Sequence, residues 1–274
     1  MMAPGLDQPE MREPQTRDLG DDRYNVEAVE RFVRICALFS TERPALSSRE
    51  IAELIGIPLR TTIKLLATLT ERDLLARDGQ ADCYRLGFGW LRFGAAPRMP
   101  IDIRRAAAPI MRALRDQTNE TVILAVRIGD MRVNVDYVES RHTLRRVTHR
   151  GSETPLHVGA GGRTLLAGLP DDEVAAYLAR TKLVNIGYNT PTDPERIWAD
   201  IHITRAQGYF ILTNEISEGG ASVSVPLKDY SGETLGTLTV GGPLFRFDDK
   251  ARQEAVPLLM NAASKFLYDV EHDR

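Results

Sequence analysis

The chain has 274 residues, 43% hydrophobic and 27% charged, so it can bury a substantial core and is not disordered as a whole. No run of about 18 apolar residues occurs, which excludes a membrane-spanning helix, and the polar N-terminus together with only two cysteines, Cys36 and Cys83, points to a cytoplasmic, reducing setting without a disulfide framework. The net charge of −3 is unevenly spread: residues 23–98 carry 12 basic and 9 acidic side chains, a sign suited to phosphate contact, whereas residues 1–22 carry 2 and 6.

Residues 1–22, with three prolines and little periodicity, read as a disordered acidic tail. A first helix is expected from Asn25 as N-cap, with Val29, Phe32, Val33, Cys36 and Ala37 at three- and four-residue spacing, ending before Pro44. Ser47 and Glu50 form a capping box that opens a second helix with Ile51, Leu54 and Ile55 as its buried stripe. Gly56 gives the chain freedom to turn, and Pro58 suits the first turn of a third helix.

At about 100° per residue, Arg60, Lys64, Thr68 and Thr61 fall in one arc of that third helix. Leu65, Leu69, Thr62, Leu66 and Ile63 fill the opposite arc. One face packs and the other offers two cations and two hydroxyls, the layout of a helix-turn-helix whose second helix enters the major groove. Two cations alone are often only a solvated face; the capping box, the turn and the segment that follows favour DNA. That segment, "LLARDGQADCYRLG", places two extended pieces around Asp78-Gly79, a hairpin wing with Arg77 and Arg85 beside the DNA backbone. Ser47, Ser48 and Arg49, at the N-terminus of the second helix, are further candidates for phosphate contact, though they also serve as a cap. Residues 23–87 therefore read as a winged helix-turn-helix, and 88–100 as a short linker helix ending in a Pro-rich break. Its apolar Trp90, Leu91 and Phe93 call for burial in a dimer.

Residues 101–274 read as a second domain. A helix is expected over 101–118 and strands over 121–128, 131–138 and 144–148. A cluster, Gly159-Ala160-Gly161-Gly162, precedes an apolar helix ending near Leu169. Helices over 171–180 and 194–207, strands over 209–212, 222–227 and 234–241, and a helix over 248–270 complete an α+β pattern with one mostly antiparallel sheet. The glycine cluster lacks the Gly-Lys-Ser/Thr ending of a phosphate loop; it either lines a pocket or lets a helix approach the sheet. The five histidines show no i, i+4 pair and no cysteine pair beside them, so no metal site and no cofactor are expected. Ser222 with His157 and an aspartate would suit a hydrolase, but no Gly-x-Ser-x-Gly elbow is present. A purely architectural DNA-binding protein fits poorly with the weak basic balance and the large second domain.

The fragments "RPALSSREIAELIGIPLRTTIKLLATL", "LLARDGQADCYRLG", "IRRAAAPIMRALRDQTNETVILAV", "GSETPLHVGAGGRTLLAGLP", "EISEGGASVSVPL" and "GTLTVGGP" together resemble the isocitrate lyase regulator (IclR) family of bacterial transcription factors, over residues 24–270. The resemblance implies a non-enzymatic, ligand-responsive regulator of a catabolic operon. Its implied fold is α+β, an N-terminal winged helix-turn-helix joined by a linker helix to a GAF-like α/β effector-binding domain. It implies homodimers or homotetramers on pseudo-palindromic double-stranded operator DNA. It also places an effector, a small organic acid or carbonyl compound such as an aromatic acid, among Arg146, Leu156, Ala160, Gly161, Leu212, Ser222, Thr239 and Gly241. Leu212 and Gly241 depart from the family's acidic and hydroxyl residues, which implies a less polar or larger pocket. If 144–148 is a strand, only one of Arg145 and Arg146 points inward, and Arg146 is favoured.

Overall fold

The structure, a computed structural model, describes residues 26–40, 43–77, 82–95 and 103–272. The expected acidic tail, Asn25, the Asp78-Gly79 hairpin tip and the end of the linker at 96–100 lie outside the described residues. The chain divides into two compact units, 1–98 and 99–274.

The first unit comprises α1 (Glu27–Ala37), β1 (Leu46–Ser47), α2 (Ser48–Ile55), α3 (Leu59–Glu71), β2 (Leu75–Arg77), β3 (Cys83–Leu86) and α4 (Gly89–Ala95). The capping box forms: Ser47 Oγ accepts the Glu50 N–H at 3.2 Å, and the Glu50 carboxylate accepts the Ser47 N–H at 2.7 Å. Gly56 closes α2 in the left-handed conformation, φ +70°, and Arg34 Nη2 donates to Ile55 O at 3.0 Å at the same helix end. Ile35, Ile51, Ile55, Leu66, Leu69 and Leu75 form the core under the three helices. Each such side chain contributes about 1.5–3 kcal/mol by leaving water. The three strands pair antiparallel in the order β1-β3-β2.

Trp90 corrects one expectation. Its ring stacks on Phe32 with centroids 6.1 Å apart, and its Nε1 donates to Leu74 O at 2.8 Å, so α4 is held to this unit and the indole already has a place. Phe88 and Leu91 stay outside, 85% and 67% exposed.

The second unit runs α5 (Ile103–Thr118), β4 (Thr121–Ile128), β5 (Met131–Val138), β6 (Glu153–Pro155), α6 (Gly159–Ala167), α7 (Asp171–Arg180), α8 (Pro194–Gln207), β7 (Phe210–Thr213), β8 (Gly220–Lys228), β9 (Thr234–Pro243) and α9 (Asp249–His272). The sheet is antiparallel throughout in the order β6-β5-β4-β9-β8-β7. Val122, Leu124, Val223, Val225, Leu238 and Val240 face the core shared with α5 and α9. The opposite face is covered by α6, and a separate apolar core joins α6, α7 and α8.

Two expectations change here. Residues 144–148 are not a strand. β6 takes the edge of β5, and the segment is tied down by side chains: Thr121 Oγ1 donates to Arg146 O at 2.9 Å and Asn134 Nδ2 to Thr148 Oγ1 at 2.8 Å. The Gly159–Gly162 cluster does not precede the helix but forms its first turn.

Candidate DNA-reading helix and ligand pocket

On α3, Thr62, Leu66 and Leu69 are buried and Leu65 is half-buried, while Arg60, Lys64 and Thr68 are exposed and Thr61 is half-buried. Ile63, expected on the packed arc, is 47% exposed and belongs to the outer face. Neither Arg60 nor Lys64, nor Arg49 on α2, pairs with a carboxylate among the described residues. Thr68 Oγ1 donates to Lys64 O at 3.0 Å within the helix. Ser48 is a correction: it is buried, and its hydroxyl donates to the Asp82 carboxylate, fastening α2 to the wing instead of meeting a phosphate. Arg77 is exposed, lies over the Tyr84 ring and pairs with Asp82 at 3.4 Å.

The register of the second unit brings the ligand candidates together. Leu212 pairs with Ser222, Ser222 with Gly241, and Gly241 with Thr121. The next row on the same face is Phe210, Ser224, Thr239 and Ile123. The residues between them face the apolar core, so this row of hydroxyls lies on the α6 side. Thr239 Oγ1 donates to Ser224 Oγ at 3.0 Å. A Cβ on Gly161 would lie 3.2 Å from Thr239 Oγ1 and 3.0 Å from Arg132 Nη1, and one on Gly241 would lie 2.9 Å from Arg146 Cδ. A side chain at either position would press on one of the two arginines. Ala160 is buried beside Gly161 in the first turn of α6, which has no side-chain cap. Leu156, expected at the pocket, packs among Leu165, Leu166, Tyr177, Ile197 and Ile201 in the α6–α8 core.

Arg146 and Arg132 bring positive charge to this face. Arg146 Nε is sealed from solvent and makes no hydrogen bond, and burial lowers the affinity of this guanidinium for its proton. Arg132 was not among the sequence candidates; on β5 it is only 4% exposed, with one side-chain hydrogen bond, Nε to Thr154 Oγ1 at 3.0 Å. Burial, reinforced by the Arg146 charge, pushes it down to about 10.

The glycine turn is fixed from the other side. Arg163, fully buried, donates Nη1 and Nη2 to Glu215 at 3.1 and 2.9 Å, its Nε is 3.3 Å from Asp200, and Glu215 Oε1 accepts the Gly159 N–H at 2.7 Å. Glu215, ahead of β8, thus clamps the start of α6. His157 is buried behind it. Val184 O can only accept, so the ring donates from Nε2 (3.2 Å) and accepts at Nδ1 from the Tyr177 hydroxyl (3.0 Å). With both nitrogens engaged it is no base for Ser222. A hollow elsewhere in this unit is lined by Arg246, whose guanidinium is already matched by two hydrogen bonds to Glu120.

Comparison with known proteins places this architecture. Residues 28–79 match the IclR helix-turn-helix domain and residues 99–267 the bacterial transcriptional regulator IclR C-terminal domain. The chain is 30% identical to the HTH-type transcriptional regulator KipR of Bacillus subtilis over 79% of its own length and 85% of that protein. It is 27% identical to the HTH-type transcriptional repressor AllR of Escherichia coli over 81% and 82%. A crystal structure of an IclR homologue from Microbacterium hydrocarbonoxydans, complexed with 4-hydroxybenzoate, shares the fold with a TM-score of 0.80 at 21% identity, covering 89% of this chain and 99% of that one. The chain belongs to the IclR family of bacterial transcriptional regulators: a helix-turn-helix DNA-binding protein with an effector-binding C-terminal domain, and not an enzyme.

Proposed function

We propose that this regulator reads its operator with the exposed face of α3, and that a small organic acid or carbonyl compound bound on the hydroxyl face of β8 and β9 changes its affinity for DNA. The observation that carries the reading is the buried polar face itself. Guanidinium groups taken out of water cost free energy unless they are bonded, and here Arg132 and the unbonded Arg146 Nε meet the start of α6, where first-turn amides add donors. An acid or carbonyl end supplies the missing acceptors. One relative in the fold is solved with 4-hydroxybenzoate, an acid of this kind.

On the DNA side, Arg60, Lys64 and Thr61 meet the major groove, with Thr68 and Ile63 beside them; Arg49 and Arg77 meet phosphates. The protein acts in the cytoplasm on a catabolic operon, as a dimer or tetramer on a pseudo-palindrome, since one winged head covers few base pairs. DNA selected from genomic fragments by the purified protein tests this. Arg60→Ala and Lys64→Ala each weaken binding; if Lys64 meets phosphate, the salt dependence becomes shallower by about one ion. Binding unchanged in both variants contradicts the reading.

A further inference from the structure

We propose that the effector is a short dicarboxylate, one carboxylate held by Arg132 beside Gly161 and the other by Arg146 beside Gly241. The inference rests on the ligand-pocket reading above and specifies its occupant.

The neighbouring arginines show how this domain treats a guanidinium. Arg145 pairs with Glu139, Arg150 with Asp136, Arg163 with Glu215 and Arg246 with Glu120. Arg132 and Arg146 pair with no carboxylate among the described residues, although Arg132 is more deeply buried than all of these but Arg163. Arg132 is buried and Arg146, half-buried, has its Nε sealed from solvent, so the two like charges repel where screening is weaker than in water. Deprotonation near neutral pH relieves neither, since arginine remains a cation there. The arrangement is stable only at a cost, and a ligand with two negative charges removes that cost at both places. Each guanidinium can hold a carboxylate by parallel N–H bonds.

The two cations reach neighbouring positions of the same sheet face. Arg132 meets α6 next to Thr239, and Arg146 lies on Gly241, two residues further along β9. Two cations without a carboxylate partner at neighbouring positions of one sheet face are matched by two carboxylates on one molecule. On the same face, Ser222 offers a hydroxyl to a polar substituent of the carbon chain.

The test is calorimetry and thermal shift on the full-length protein with malonate, succinate, glutarate and adipate, against butyrate, 4-hydroxybenzoate and inorganic phosphate. The variants are Arg132→Gln, Arg146→Gln and Gly241→Leu. At least one diacid is expected to bind about 10- to 100-fold more tightly than the monoacids, with that advantage lost in either glutamine variant and all binding lost in Gly241→Leu. Arg132→Gln is also expected to raise the melting temperature of the ligand-free protein, the opposite of what removing a structural residue does. Monoacids or phosphate binding as tightly as the best diacid, yet lost in Gly241→Leu, overturn the dicarboxylate and leave the pocket reading standing. No binding by any diacid at millimolar concentration also overturns it. Acids that bind undiminished to a folded Gly241→Leu protein overturn the pocket reading itself.

Discussion

Arg163 and Arg132 are both charged and both withdrawn from water, and the difference between them is the carboxylate. Glu215 meets Arg163 with two hydrogen bonds and also takes the Gly159 N–H, so one acid satisfies a buried cation and the start of α6 together. Removing it leaves the cation alone: Glu215→Ala is expected to cost about 3–5 kcal/mol in urea unfolding, and Arg163→Met added to it to recover part of that loss. His157 behind the pair adds a pH dependence. Burial, with help from the Arg163 charge, lowers its pKa below the ordinary 6.5, against opposing contributions from the Val184 carbonyl and Glu215. The folded state therefore binds its proton less readily than the unfolded chain. The stability it contributes is fully present above about 6.5 and is lost as pH falls through the lower folded value. Thermal midpoints measured from neutral pH to about 5 should fall on acidification, and His157→Gln should flatten that slope. Arg132 shows what the sequence concealed at this scale. In "MRVNVDYV" the apolar residues alternate with Arg132, Asn134 and Asp136, which reads as a wet face; alternation fixes that the arginine lies opposite the valines, but not that α6 and the 144–148 segment cover that side.

Where local chemistry decides an element, its bounds were legible. Thr121–Ile128 and Met131–Val138 stand where alternation and the Gly129-Asp130 turn put them, and Ser47 with Glu50 starts α2 as the capping pattern requires. The cap is testable alone: Ser47→Ala should lower the stability of the first unit by about 1 kcal/mol, read as the shift in its denaturation midpoint. The segment 144–148 was not legible, because its partners are the hydroxyl of Thr121 and the amide of Asn134, not a neighbouring strand. The glycine turn was half legible. Its close approach to the sheet could be foreseen, but the reason it forms a helix, the Glu215 clamp on Gly159 from 56 positions away, leaves no local pattern. Ile63 shows the same limit on α3: a wheel orders residues around an axis, and only the packed partners decide where the dry arc ends.

At the scale of the whole molecule, the proposed operator contact needs two heads, and the exposed Phe88 and Leu91 at α4 supply apolar surface for a second copy. Light scattering at micromolar protein should give a dimer or larger, and Phe88→Glu with Leu91→Glu should shift it toward monomer and weaken operator binding. A monomer in the unmodified protein, both free and on DNA, contradicts the proposal. Ligand and DNA then compete or cooperate only through their different affinities for two arrangements of the molecule. A coupling of roughly 1–3 kcal/mol corresponds to a change of about 5- to 150-fold in operator affinity. The most direct measurement is fluorescence anisotropy of a selected operator fragment titrated with the protein, with and without the best-binding diacid at a concentration that saturates the calorimetric site. The account predicts a shift of the dissociation constant within that range, abolished in Gly241→Leu. An operator affinity that does not move while the site is saturated would contradict it.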